Sequence, residues 1–309
     1  MIVAILAAAI TAGMPLLFAT IGEIYTERSG NLNLGVEGMM IMGAVVGFST
    51  GYVTGSAWMA LIGAILAGSL GAFIYALLTI TLRANQVVTG LALTIFGTGF
   101  ASFVGKSFVG KAAPEGIKNF FEVVNIPLLS DIPYILVIFF KHDVFVYFGY
   151  LVTIWTLIYF YKTRWGLNLR SVGESAASAD ASGINVDVYK YVHTIIGGAL
   201  AGLGGAYLSL VTIPVWQEGV TGGRGWIAVA LVIFASWKPV KAMAGAVLFG
   251  GLDIIGFRLQ GMGIHMSQYI IDMLPYLTTI IVLIISTRKN RPEDMPPADL
   301  SVPYFREER

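Results

Sequence analysis

The chain has 309 residues, of which 56% are hydrophobic and only 12% charged, and its mean hydropathy is +0.78. A soluble domain carries about a quarter charged residues, so this composition leaves too little polar surface for a water-exposed globule; disorder, coiled coil and, without cysteine, a disulfide scaffold are excluded. The net charge of +1 offers no basic face for nucleic acid, and the lack of cysteine disfavours a zinc or iron–sulfur site.

A helix that crosses a bilayer takes about 20 mostly apolar residues, and the chain reads as about nine of them in one all-α, polytopic membrane domain. The first apolar stretch runs over 1–21. It has no basic region before it and no small-residue cleavage site before Glu23, so it reads as a retained membrane helix rather than a signal peptide. Further stretches follow at 36–53, 58–82, 87–104, 144–161, 191–211, 240–257 and 269–286. The stretch 219–237 is apolar only from Trp226 onward and opens with Gly222, Gly223 and Gly225 around Arg224, which predicts a broken or re-entrant helix. The segment 132–140 is too short to span alone.

Basic residues in short loops orient such a chain. With the end of the first helix inside, 13 of the 19 basic residues face the cytoplasm, among them Arg28, Arg83, Lys162, Arg164, Arg170, Lys190, Lys238 and Lys241. The N-terminus is then outside and the C-terminus inside, which requires an odd number of crossings. The expected organisation is a transmembrane domain over 1–287, with a cytoplasmic loop at 162–190, and a cytoplasmic tail over 288–309.

Gly43, Gly47, Gly51 and Gly55 recur every fourth residue, and Gly198 and Gly202 repeat the spacing; such strips let helices approach closely in lipid. The segment 60–68 resembles 242–250, and on the assigned topology the two helices run in opposite directions, as in an inverted repeat.

Several motifs are decoys. Gly105 to Lys111 matches a phosphate loop literally, but Ala112 stands where a magnesium-binding hydroxyl belongs and a membrane helix precedes it. His142, His193 and His265 have no second ligand at suitable spacing, and no nucleophile, base and orienting acid come together. The chain is expected not to be an enzyme.

The informative polar residues lie at membrane depth. Asn31, Asn33 and Glu37 occupy the entry to the second helix, and Asn85 and Gln86 open the fourth. Asp253 lies inside the eighth long apolar stretch; Gln217, Glu218 and Arg224 flank the broken one. A charge at the bilayer centre costs about 2.5–3.5 kcal/mol on insertion scales, so Glu37 and Asp253 should face protein or a wet cavity. For Glu37, a structural role and contact with a cargo both fit. Trp216, Trp226 and Trp237 fit interfacial anchors, or alternatively rings on which a cargo stacks. The candidate translocation path is therefore Asn31, Asn33, Glu37, Asn85, Gln86, Trp216 and Asp253.

Within the loop 162–190, Ser175 is placed to cap a two-turn helix that Gly183 terminates. Its alanines make a small, smooth face suited to a groove on a cytoplasmic partner.

These residues resemble a known family, the permease subunits of ABC importers of the branched-chain amino acid, simple-sugar and nucleoside type. The resemblance rests on 27–40 (ERSGNLNLGVEGMM), on Arg164-Trp165-Gly166-Leu167 leading into Val172-Gly173-Glu174, on 181–186 (ASGINV) and on 223–228 (GRGWIA). The Glu-Gly-Met-Met and Gly-Arg-Gly-Trp forms and the tail 302–309 look like the shorter permease of nucleoside importers. Ser175-Ala176 departs from the Asn-Pro that relatives often show there, but Ser also caps a helix. The resemblance implies a second permease subunit, cytoplasmic ABC ATPases that bind the ATP and magnesium, an extracytoplasmic substrate-binding lipoprotein, and no cofactor on this chain. Gly173, Glu174, Ala177, Asp180 and Gly183 would couple the chain to the ATPase. Nucleoside import is the leading expectation; a simple-sugar permease is the alternative. An ion-coupled secondary transporter, for which Glu37 and Asp253 are the only apparent ion-binding carboxylates, is a more distant rival.

Overall fold

The computed structural model describes residues 2–125, 135–261, 273–274, 276–281, 284 and 294–306. Helix α1 (Ile2–Arg28) is followed by α2 (Val36–Thr54), α3 (Ala57–Ala76, extended by a π-helical turn Leu77–Thr81) and α4 (Gln86–Gly105). Two short helices, α5 (Glu115–Phe120) and α6 (Ile135–Phe140), lie near a two-residue antiparallel pair, β1 (Val124–Asn125) with β2 (Lys141–His142). Then come α7 (Val144–Lys162), α8 (Arg164–Glu174), α9 (Ala176–Ala181), α10 (Val186–Tyr207, with a π-helical turn Leu208–Thr212), α11 (Arg224–Ala235) and α12 (Pro239–Gly261). Among the described residues, seven helices are long and apolar enough to cross a membrane, and α11 is a shorter apolar helix. The chain is an all-α, polytopic membrane protein. With α11 and the stretch 269–286, half of which lies outside the described residues, the arrangement is consistent with about nine membrane helices.

The starts of these helices are written locally. Asn85, Asp143, Thr163, Ser175 and Asn185 each accept a backbone N–H from the first turn of α4, α7, α8, α9 and α10, which satisfies donors the helix itself leaves unpaired.

Lipid supplies no hydrophobic drive between helices, so close backbone approach holds the bundle together. Gly22 of α1 faces Gly197 of α10, Gly68 of α3 faces Gly198, and Gly13 of α1 faces Gly250 of α12. Gly43 of α2 meets Gly202 of α10 so closely that a Cβ on Gly43 would strike the Gly202 backbone, and a Cβ on Gly202 would strike the Ala64 carbonyl of α3. Gly47 and Gly51 also pack, against Ala60, Ala64 and Ala206 among others. Gly55 does not continue the strip: it ends α2 in the left-handed region, with φ +68°, and has open space around it.

The resembling segments 60–68 and 242–250 fall on α3 and α12. Helix α3 packs on α10, and α12 packs on α1. That exchange is what a repeat with α1/α10 and α3/α12 as counterparts produces, each half's third helix lying on the other half's first. A Gly202→Leu variant should push α10 away from α3, whose Ala64 carbonyl and Gly68 backbone occupy the space its side chain needs. Overpacking of this kind costs about 1–3 kcal/mol, to be read as a lowered thermal midpoint in detergent, whereas Gly99→Leu, with nothing near its Cβ position, should leave the midpoint in place.

Candidate functional site

The entry to α2 is a knot of polar groups. The Asn33 backbone N–H and side-chain amide donate to the two oxygens of Glu23, each at 3.1 Å, and Asn33 Oδ1 accepts from Gly35 N at 2.9 Å. Asn31 donates to Thr194 Oγ1 at 3.0 Å. Gln86 Oε1 accepts from Leu32 N at 2.7 Å, Tyr75 Oη donates to Leu32 O at 2.6 Å and Thr94 donates to Leu34 O at 3.1 Å. Non-helical backbone at membrane depth needs such partners. Asn33 and Gln86 are buried and engaged in supplying them, Asn31 is buried on Thr194 of α10, and Asn85 is exposed at the start of α4.

Glu37 joins this knot to the broken helix. Its Oε1 accepts from Thr221 Oγ1 at 2.6 Å and Gly223 N at 3.0 Å, and its Oε2 accepts from Gly225 N at 2.6 Å. The carboxylate thus sits on the N-terminal end of α11, where free N–H groups and the helix dipole favour negative charge. Gly225 has no Cβ because the Glu37 backbone occupies that space.

Arg224, inside the same turn, donates to Asp253 Oδ2 at 3.3 Å, with both side chains about a quarter exposed (23% and 26%). They line a cavity of about 290 Å³ together with Gly222, Phe249 and Tyr276. Trp216 lies elsewhere: it is 1% exposed, packs on Phe48 with ring centroids 5.8 Å apart, and fills the space beside Gly105. Trp237 is likewise buried and donates to Glu27 Oε2 at 2.6 Å. Both indoles are core residues, in place of the interfacial anchors expected from their positions near helix ends. The structure therefore brings Asn33 and Gln86 to one knot and Asp253 to the cavity, with Glu37 between them, and leaves Asn85 and Trp216 apart.

Sequence reasoning passed over Glu23 and Glu27, two buried carboxylates one turn apart on α1. By hydropathy the first apolar stretch ends at Ile21, yet the helix continues to Arg28. Trp237→Phe would strip Glu27 of its indole donor; leaving a buried polar group unsatisfied costs about 1–3 kcal/mol, measurable as a lower thermal midpoint of the purified chain.

At the end of the bundle that carries Arg28, α8 and α9 form an angle closed by the tail. Helix α9 has the start and stop expected of it. Ser175 Oγ accepts from Ser178 N at 3.3 Å, and Gly183, with φ +84°, donates to Asp180 O at 2.9 Å. Ala177 and Gly183 are exposed, while Ala176 and Ala179 face inward. The expected loop is more ordered than its sequence reading, since Arg164–Glu174 is also helical.

The tail straps this corner. Asp299 Oδ2 accepts from Ala176 N at 2.7 Å and Asp299 N donates to Gly173 O at 2.9 Å. Ala298 N donates to Glu174 Oε2 at 3.4 Å, and Asp180 Oδ2 accepts from Tyr304 Oη at 2.7 Å and pairs with Arg306 at 3.4 Å. Lys238 and Lys241, each donating at 3.0 Å, hold the Asp294 carboxyl well below the usual carboxylate range.

The remaining motifs have other partners. His142 contacts Thr11 and the Ile138 carbonyl, and His193 contacts Tyr159 and the Tyr189 carbonyl. His265 lies outside the described residues. Gly105 to Lys111 continues α4 into a 3-10 turn, with the Trp216 indole against Gly105.

Residues 5–283 match the family described as the branched-chain amino acid transport system / permease component. The "Putative glucose ABC transporter permease protein TsgC13" of Haloferax volcanii is 38% identical to the chain over 90% of each sequence. The "Guanosine ABC transporter permease protein NupQ" of Bacillus subtilis is 35% identical over 96% of this chain and 94% of that one. The fold is similar to that in the solved structure of PsaBC from Streptococcus pneumoniae in complex with Fab, with a TM-score of 0.50 at 17% identity, covering 94% of this chain and 91% of that chain.

Proposed function

From the premise that the chain belongs to the permease-component family of branched-chain amino acid transport systems, as a non-catalytic ABC-importer subunit that translocates small polar solutes, we propose that its cargo carries a sugar ring. A free simple sugar is the first reading, supported by the 38% identical relative named for glucose. A nucleoside is the second, supported by the guanosine permease that matches 96% of the chain.

In this reading a second permease subunit completes the channel. ABC ATPases carry ATP and magnesium on the cytoplasmic side, and an extracytoplasmic lipoprotein delivers the solute. The N-terminus lies outside and the tail inside, which places Arg28, Arg83, Arg164 and Arg170 at the cytoplasmic face in keeping with the positive-inside bias. Residues 1–287 are the permease domain and 288–309 the tail.

The observation that carries the coupling assignment is α9: a short, capped helix with Ala177, Ser178 and Gly183 exposed and its other side fastened to the tail. A rigid knob of this shape suits a groove on a cytoplasmic partner. Gly173, Glu174 and Asp180 hold the helix in place through the tail, while Ala177 and Gly183 belong to its outward surface. In the translocation path, Asn31, Asn33, Glu37 and Gln86 shape the backbone near the broken helix and Asp253 lines the cavity; Asn85 and Trp216 have no observation to support a place in it.

The test is uptake of labelled glucose and labelled guanosine by cells that express the assembled importer. Competition by unlabelled glucose but not guanosine supports the sugar reading, the converse supports the nucleoside reading, and uptake of neither contradicts a sugar-ring cargo.

A further inference from the structure

The cavity beside α11 combines three features. First, it lies within the membrane-crossing part of α12, in its last third: Asp253 is 14 residues into the helix, about 21 Å along a hydrocarbon core of about 30 Å at 1.5 Å per residue, and shortly before the apolar span ends at Gly256. Second, the ion pair in it is long and part-exposed. Arg224 reaches Asp253 at 3.3 Å and the Thr221 carbonyl at 3.4 Å, both long for charge-assisted bonds, and each charged side chain keeps about a quarter of its surface exposed. A pair serving only as a strut gains most when it is short and closed; a charged pair facing a cavity at membrane depth marks a solute route. Third, two of the other lining residues are aromatic, Phe249, one turn before Asp253 on α12, and Tyr276.

We propose that this cavity, bounded by the Arg224–Asp253 pair and the Phe249 and Tyr276 rings, is a transit site for a vicinal diol on a sugar ring. Adjacent hydroxyls are each both donor and acceptor, so one can donate to the Asp253 carboxylate while its neighbour accepts from the Arg224 guanidinium. The less polar C–H face of the ring then lies against the aromatic walls. The volume of about 290 Å³ admits one such ring. Glu37 contributes indirectly, because its grip on Gly223 and Gly225 sets the turn from which Arg224 projects.

This inference rests on the sugar-ring reading of the cargo. A free sugar and the ribose of a nucleoside offer the same diol chemistry, and the experiment separates them. Maximal uptake is measured for glucose, guanosine and 2′-deoxyguanosine at saturating concentration, in the wild-type importer, in Asp253→Asn and in the exchanged pair Arg224→Asp with Asp253→Arg. Co-purification of the partner subunits and the thermal midpoint are followed in parallel.

The expected result is at least a tenfold loss of maximal uptake in Asp253→Asn at unchanged assembly and midpoint, with no recovery in the exchanged pair. If guanosine is the cargo, the wild type should prefer it over 2′-deoxyguanosine and the variant should lose that preference; if glucose is the cargo, the loss is seen for glucose. Wild-type uptake in Asp253→Asn, or recovery of uptake and midpoint together in the exchanged pair, would overturn the site and leave the pair a strut. A wild-type importer that takes up neither glucose nor guanosine would instead refute the cargo reading on which the site depends.

Discussion

Uptake by the assembled importer should fall roughly a hundredfold in a Gly183→Pro variant. Gly183 ends α9 at φ +84° and donates its N–H to Asp180 O. Proline can supply neither: its ring holds φ near −65° and it has no N–H; losing the left-handed turn costs about 1–3 kcal/mol and losing the hydrogen bond about 1 kcal/mol, together about 3 kcal/mol. At 1.4 kcal/mol per factor of ten, about 3 kcal/mol lowers the ratio of formed to unformed α9 roughly a hundredfold, and because a six-residue helix is marginal by itself an importer driven through α9 loses rate in proportion. Gly183→Ala is the graded control, since a left-handed non-glycine residue costs about 1–2 kcal/mol and should reduce uptake by roughly five- to thirtyfold. Membrane abundance of the chain, followed by immunoblot, should remain at the wild-type level in both variants. Unaltered uptake in Gly183→Pro would remove α9 from the coupling path.

The second large effect concerns Glu37. Its two oxygens accept from Thr221, Gly223 and Gly225, at 2.6, 3.0 and 2.6 Å. In Glu37→Gln one oxygen becomes an amide donor, so at least one of these buried donors faces another donor and is left unpaired, at a cost of about 1–3 kcal/mol and more for a lost charged acceptor. The expected outcome is a lower thermal midpoint together with reduced uptake, because the start of α11 and the position of Arg224 are set by this latch. Reduced uptake at an unchanged midpoint would make Glu37 a cargo contact instead. The two measurements on one preparation decide between the readings that the sequence leaves open.

The parts of this structure that were legible in the sequence are those governed by local rules. Lipid demands runs of about 20 apolar residues, so α2, α3, α4 and α7 begin and end within a residue or two of their hydropathic limits. Helix α9 was legible because Ser175 and Gly183 punctuate it, and the break before α11 because Gly222, Gly223 and Gly225 interrupt an apolar run. Glu23 and Glu27 were missed because what stabilises them is remote: Asn33 is ten positions along the chain, and Trp237 is 210 positions from Glu27. Trp216 and Trp237 were misplaced for the same reason, since a tryptophan near a helix end is interfacial or buried according to what packs on it. The tail was least legible. Its segment 294–306 contains no long regular element, and its bonds to Glu174 and Asp180 span 124 positions.

In the proposed function this chain is a passive, ATP-coupled path, moved by a partner that docks on α9. Uptake of the accepted labelled solute should be measured in cells carrying the full importer, the importer without this chain, and the importer whose ATPase is inactivated. The account predicts that uptake is lost in both altered strains. Uptake that persists with the inactive ATPase, yet still depends on this chain, would contradict it and identify an ion-coupled transporter working alone.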